Sequence, residues 1–589
     1  MARRRPTRLV AEPYERDVVR IAREIAQLGG GTRARAYEVS HLTELMMRLA
    51  MRLPEFQTQL FRFVDVFPAM DGVRDTARHL AEYFGPDRAP SLIGAGVKAA
   101  SRLPGGPAIL ARTARREVSR MARQFIVGTD PAEAAEELGR LWLGGTAATI
   151  DLLGEHTFSH AESDAYALRL GQVIKTLLDA SERWPANRRL ETDDLGELGR
   201  VAVSIKPSAL APDFAPLTAE AGIATAKRRL RPILRAAAER GAQVFFDMER
   251  YETKALTHRL FRELLSEPEL AALRAGIVVQ AYLKDSFEDL QRLLAWAAIR
   301  PVPISVRLVK GAYWDTETIV ARAAGWEVPV YEQKAETDLN YELCTRALLA
   351  AHGQVRPCFA THNFRSLGYA VATARHAGLP DGAYEVQLLY GMAEPVHEAV
   401  RRRGLRLRVY APIGELVPGM AYLVRRLLEN TSNESFVRHR FVEGKDLDVL
   451  LTKPKVLKHP PGPGSRSKGS AGMATSPRPL RPSGTDLPTY EPEPLAEWHR
   501  PESRQAMQRE LDRRGGNVVH FVPASIAGRD VQTSRVVQST NPAEPATTVA
   551  DSACCGGNEV ARAVAAGAAA FEAWSLRPPE ARAEVLFEA

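Results

Sequence analysis

Cysteine is scarce: Cys344, Cys358, Cys554 and Cys555 are the four in a chain of 589 residues. That is too few for a disulfide framework, and their spacing matches no zinc site. The adjacent Cys554 and Cys555 can hardly pair with each other in ordinary geometry. A reduced, cytoplasmic setting is the expectation. Nowhere do about 18 apolar residues run together, so no transmembrane helix is expected. The opening MARRRPTRLVAEPYERDVVR is basic but lacks the apolar core of a signal peptide. Any membrane contact is therefore expected to be peripheral. Charge of one sign is not concentrated either. The 79 basic and 71 acidic residues leave +8, spread over arginine-rich helix faces. Such a surface can meet nucleic acid or anionic lipid, but it reads first as solvated, and no nucleic-acid partner is expected.

What is present is ordinary globular material, 45% hydrophobic and 25% charged, and enough of it for several cores. RDVVRIAREIAQL and VSHLTELMMRLAMRL repeat apolar residues at i, i+3, i+4 and i+7, so residues 15–140 read as helices. Breaks fall at GPDRAPSLIGAG and LPGGP. No catalytic constellation occurs here. Residues 1–145 are assigned to a helical packing or assembly arm, compatible with a homo-oligomer.

From about residue 147 short β-branched runs alternate with amphipathic stretches. The runs are TAATID, VAVSIK, QVFFD, GIVVQAYL, ISVRLVK, PCFATH, YEVQLL and RLRVY. Eight strands alternating with helices predict an α/β class (β/α)8 barrel over residues 146–450. A doubly wound open sheet is the alternative, but no glycine-rich turn follows the first strand. Residues 451–510, rich in Pro, Gly and Ser, read as a linker. Residues 511–589 begin another module, which stops inside an apparent helix with no cap or glycine.

Barrel active sites collect at the C-terminal strand ends. There the eight runs end on Asp151, Lys206, Asp247, Gln280, Arg307 with Lys310, His362, Gln387 and Tyr410. Isolated buried cations are costly, so this series predicts a pocket for an anion, cofactor or substrate. For Asp151 and Asp247 a structural hydrogen bond at the strand end is the plainer alternative. Farther on, YLVRRLLENTSNESF carries Arg425 and Arg426, with Glu429 within one helical turn. They form either an exposed ion pair or a bidentate clamp for a carboxylate.

RLVKGAYWD, FATHN, QLLYGMAEP, RVYAPIGE and YLVRRLLEN, in this order, resemble the proline dehydrogenase family over about residues 145–440. With the arm, the linker and the last module, the chain resembles proline utilization A proteins, which join proline dehydrogenase to an aldehyde dehydrogenase. The resemblance implies oxidation of L-proline to 1-pyrroline-5-carboxylate, the first step of proline catabolism, with hydride passing from C5 to N5 of a non-covalent FAD. Electrons would pass to a membrane quinone. It also implies roles. Arg307, at flavin N5, would stabilise the anionic reduced flavin, with Lys206 and Asp247 as its catalytic companions. Gln280 would touch the isoalloxazine edge. Lys310, Ala312, Trp314, Thr361, His362, Asn363 and Glu429 would serve the rest of the cofactor. Lys206, Arg425 and Arg426 would grip the proline carboxylate, Tyr410, Tyr422 and Leu308 would wall the ring, and Asp151 and Glu429 would orient the cations. His362 is given to the cofactor and not to general-base work, since hydride loss needs only a neutral amine. Tyr313 is left outside this set.

The last module resembles the start of an aldehyde dehydrogenase, with TNPAEP and VARAVAAGAAAFEAW, but not its nucleotide-binding fold or nucleophilic cysteine. NAD chemistry is expected to be absent from this chain, and residues after about 520 are expected to be poorly ordered or prone to aggregate. The competing class is a degenerate barrel acting as an assembly or binding protein. Lys206, Arg307, Arg425 and Arg426 argue against it.

Overall fold

A computed structural model describes residues 15–29, 53–85, 89, 91–154, 157–415, 447–456, 495–514 and 519–588. These divide into a unit ending at His499 and a second unit from Arg500 onward.

The first unit is built on eight parallel strands: β1 Thr146–Leu152, β2 Ala202–Ile205, β3 Gln243–Phe246, β4 Ala275–Gln280, β5 Ile304–Val309, β6 Val355–Ala360, β7 Glu385–Leu389 and β8 Arg406–Ile413. They pair in sequence order, and β1 joins both β2 and β8, so the sheet closes. Each coincides with one of the eight runs marked in the sequence. Period-two alternation then decides which side chains enter the barrel. On β5, Val306 and Leu308 face the helix layer with the aliphatic core, while Ser305 and Arg307 face inward. Gly276 on β4 leaves room for the Phe245 ring, which a β-carbon there would strike.

The helical arm forms as expected, with one difference. Helices α2 (Pro54–Val66), α3 (Gly72–Tyr83), α4 (Ser91–Arg102) and α5 (Gly106–Phe125) share a small core of Phe56, Phe63, Phe84, Val118 and Phe125. The first helix, α1 (Glu15–Gly29), instead belongs to the barrel. Its apolar stripe of Val18, Ile21, Ala22 and Ile25 enters the barrel core. Ala22 packs so closely on Gly368 that a β-carbon there would collide, and Glu15 pairs with Arg365 at 2.6 Å. The expected break at GPDRAPSLIGAG is also shorter than its composition suggested, because Ser91 onward is already α4.

The arm reaches the barrel mouth through the turn after β7. Gly391 has φ +73°, and a β-carbon there would run into the carbonyl of Gln124 at the end of α5. The Gln124 amide donates to the Gly391 carbonyl at 3.3 Å.

In the second unit, Pro501–Arg514 is a helix. A regular element thus begins inside the 451–510 span read as linker. Its charged helix formers pair within the helix, Arg513 with Glu510 and Gln508 with Asp512. Beyond it, strands Val536–Asn541 and Glu544–Ala553 pair antiparallel, and helices Gly557–Ser575 and Pro579–Glu588 follow. Residues after 520 thus form regular elements, against the poorly ordered alternative, while Phe571, Leu586 and Phe587 are well exposed, the kind of apolar surface on which the aggregation alternative rests.

Candidate active site

A cavity of about 330 Å³ opens at the C-terminal ends of the strands, in the size range of small-ligand sites. Every polar residue read at a strand end reaches it: Asp151, Lys206, Asp247, Gln280, Arg307, Lys310, His362, Gln387 and Tyr410 all line its wall. Parallel strands entering a barrel in one direction converge on one rim, so the run-end pattern becomes a ring.

Arg307 is the most constrained of them. Its side chain is 5% exposed, and its Nη1 donates to Asp247 Oδ1 at 2.5 Å and to Ser204 Oγ at 3.2 Å. Its Nε donates to Gln387 Oε1 at 2.6 Å. The guanidinium lies 4.3 Å from the Phe245 ring centre and 5.2 Å from that of Tyr410, close enough for cation–π attraction. Among the described residues its buried Nη2 has no hydrogen-bond partner. Burying a cation this deeply is tolerable because an anion, an amide and two rings hold it.

The other cations are also paired. Lys206 meets Asp151, both buried. Lys310 meets Asp338, which also takes Lys334 at 2.7 Å. Burial pulls the Lys310 ammonium down to about 8, against the opposing pull of Asp338. Burial raises the Asp338 carboxyl, but the two lysines outweigh it and hold Asp338 at about 2. Both partners are shifted downward, so we read a charged pair whose lysine end gives way first as pH rises. Tyr410 is pushed well above the usual phenol range by burial and then by Asp151 and Asp247. Its hydroxyl therefore stays protonated and donates to Asp247 Oδ2 at 2.7 Å.

One amide and one imidazole define the remaining polarity. Gln280 donates through Nε2 to the carbonyls of Glu249 at 3.2 Å and Met248 at 3.5 Å. Its buried Oε1 has no partner among the described residues, an acceptor waiting for a donor. His362 Nε2 accepts from the Leu389 backbone N–H at 3.3 Å, so in the neutral ring the proton belongs on Nδ1.

Not every expected residue arrives here. Ala312 and Thr361 line the cavity, but Leu308, Trp314 and Asn363 do not. Leu308 is wholly buried on the outer face of β5, the necessary consequence of Arg307 pointing in. Trp314 opens a helix, 40% exposed, with its indole N–H on the Tyr331 carbonyl at 2.8 Å. Asn363 caps the helix Phe364–His376, accepting from the Arg365 and Ser366 amides. Tyr422, Arg425, Arg426 and Glu429 lie outside the described residues. Conversely, Tyr313, left outside the expected set, lines the cavity, as do Met248 and Glu249, which the strand-end pattern does not single out. Each follows a strand by a few residues, a position that polarity at the last strand residue does not reveal.

Among the described residues no helix is long and apolar enough to cross a membrane. Known proteins share this architecture. The chain is 34% identical over 342 residues to the bifunctional protein PutA of Escherichia coli K12, covering 57% of this chain and 25% of that protein. It is 27% identical over 316 residues to proline dehydrogenase 1 of Bacillus subtilis 168, covering 54% of this chain and 89% of that protein. The crystal structure of proline utilization A from Bdellovibrio bacteriovorus inactivated by N-propargylglycine superposes with a TM-score of 0.81 at 35% identity, over 97% of this chain and 56% of that one. The chain thus spans a quarter of the first relative and just over half of the solved one. Residues 15–125 match the proline utilization A N-terminal domain. Residues 134–439, over half of the chain, match the proline dehydrogenase profile, and with the closed barrel and its polar rim this chain belongs to the proline dehydrogenase family.

Proposed function

We propose that the chain is an FAD-dependent proline dehydrogenase that oxidises L-proline to 1-pyrroline-5-carboxylate and passes the electrons to a quinone. The observation that carries this reading is the unspent hydrogen-bonding capacity at the barrel mouth. Arg307 Nη2 and Gln280 Oε1 are both buried and without partners among the described residues, and both belong to side chains of one cavity wall. A flat heterocycle with both acceptor and donor edges satisfies them, so the residues present fit a flavin. Arg307 and Gln280 would hold the ring system, with Lys310, Ala312, Thr361 and His362 serving the rest of the cofactor. Bound FAD supplies the two-electron acceptor and the link to the quinone.

The reaction removes a hydride from proline C5 and a proton from the ring nitrogen, leaving a C=N bond. The chain's task is mainly positioning and electrostatics. Arg307 places a fixed positive charge where negative charge develops, and Asp247, Ser204 and Gln387 keep it from turning away. Tyr410 gives an apolar ring face while its hydroxyl is engaged on Asp247. Lys206, oriented by Asp151, supplies a cation for the substrate carboxylate, together with Arg425 and Arg426. Hydride leaves C5 of the neutral amine, and the N–H proton then leaves the resulting iminium to solvent, so no dedicated base is needed. Kinship to proteins named proline dehydrogenase supports the substrate. The test is anaerobic incubation with L-proline and a soluble quinone. Formation of 1-pyrroline-5-carboxylate, trapped with o-aminobenzaldehyde, in step with quinone reduction supports the reading, and no product from FAD-loaded protein overturns it.

A further inference from the structure

Beneath the cavity the barrel interior holds a second ion pair to which the reading above gives no role. Arg408 on β8 is 1% exposed, and its Nε donates to Glu385 Oε1 on β7 at 2.9 Å. Glu385 is also buried; burial pushes its carboxyl up, but Arg408 and Arg406 hold it below the usual carboxylate range. A buried ion pair is a doubtful source of stability, since a hydrophobic pair of like volume often does as well. Its contacts suggest another use.

Glu385 Oε1 also accepts from Gln387 Nε2 at 2.5 Å, and Gln387 Oε1 accepts from Arg307 Nε at 2.6 Å. The direction of this chain is forced. A guanidinium only donates, so the Gln387 atom facing Arg307 must be oxygen; its NH2 then faces Glu385, which must accept. A Gln387 amide turned the other way sets donor against donor at Arg307. As a carboxylate Glu385 offers acceptors only and so holds the amide one way round, whereas a neutral acid or amide there presents a donor as well and no longer forces it; Arg408 keeps it a carboxylate.

We propose that Glu385, held ionised by Arg408, is a positioning residue. Through Gln387 it fixes the rotation of the Arg307 guanidinium and keeps Nη2 available to the cofactor. This rests on the flavin reading of the cavity. It extends the site one layer down the barrel, from the mouth to residues that touch neither cofactor nor substrate.

The experiment is a double-mutant cycle of Glu385→Gln and Arg307→Met, reading the FAD dissociation constant and the midpoint potential of bound FAD. Glu385→Gln is expected to weaken FAD by about tenfold, the scale of one charge-assisted hydrogen bond, and to lower the potential. Loss of an anion acting only through space raises the potential, so the sign separates positioning from a simple field effect. In the Arg307→Met background, Glu385→Gln is expected to change neither quantity further. Glu385→Gln alone leaves Arg408 buried beside no anion. If it does not fold, Glu385→Gln/Arg408→Met, which buries no lone charge, replaces it in the cycle. A raised potential, an unchanged affinity in a folded variant, or the full effect persisting without Arg307 overturns the proposal. If the parent binds FAD but L-proline does not reduce it, the substrate reading fails while the cycle still decides the role of Glu385. If the parent binds no FAD, both fail.

Discussion

Arg307 on β5 and Asp247, the residue directly after β3 two strands away, meet inside the barrel at 2.5 Å. Because each comes from a different strand, the pair fixes the guanidinium relative to the barrel wall rather than to its own loop. Replacing Arg307 with Met is expected to slow reduction of bound flavin far more than it weakens proline binding, since its charge matters most as negative charge develops. Anaerobic stopped-flow measurement, with KM compared separately, checks this. An unchanged reduction rate in flavin-loaded variant contradicts the role.

Lys310 gives the site a pH limb. With its ammonium pulled down to about 8, the cation is present below that pH and lost above it. Affinity for the anionic cofactor is expected to fall as pH rises past about 8, and Lys310→Gln is expected to remove the limb. The stability sign is opposite. Burial disfavours the charged lysine, so the folding penalty is full below about 8 and fades as pH rises toward the usual lysine value of 10.5. Fluorescence titration of FAD at several pH values checks the first claim, and urea unfolding of the apoprotein checks the second.

Gly311 is expected to be intolerant of any side chain. Its φ is +144°, and a β-carbon would collide with the Tyr282 ring. Gly311→Ala should cost about 1–3 kcal/mol from backbone strain and overpacking, read as a lower urea midpoint. An unchanged midpoint would show that the turn between β5 and the helix Trp314–Ala323 relaxes freely.

The carboxylate clamp proposed for Arg425 and Arg426 is tested by kinetics. Arg426→Met should remove a charge-assisted pair of roughly 1.5–3 kcal/mol, raising KM for proline about ten- to a hundredfold with flavin content nearly unchanged. Non-oxidisable five-membered cyclic acids should inhibit the parent and lose affinity in the variant. Pyrrolidine, which lacks the carboxylate, should bind poorly to both. A parental KM in the variant, or pyrrolidine competing as well as the acids, assigns these arginines to a surface ion pair instead.

The barrel was legible because eight β-branched runs alternate with amphipathic stretches, and the rim because strand ends converge. Chain parity was the weaker guide: Leu308 neighbours Arg307 in sequence but must face the opposite side of the sheet. Asn363 and Trp314 follow strand ends as site residues do, yet a helix cap and a backbone carbonyl claim them. Nothing local announced that α1 would leave the arm for the barrel, because an apolar stripe does not name its partner. Glu385 and Arg408 were invisible for a related reason. They lie at or near strand starts, and only closure of the barrel brings them beneath Arg307 and Gln387.

The most direct test of the account is an anaerobic titration of the FAD-loaded protein with L-proline, followed by its visible absorption. The oxidised flavin band is expected to bleach with L-proline and to persist with pyrrolidine, and the Arg307→Met band to bleach much more slowly at saturating proline. A flavin band untouched by saturating L-proline, in protein that binds FAD, would contradict it.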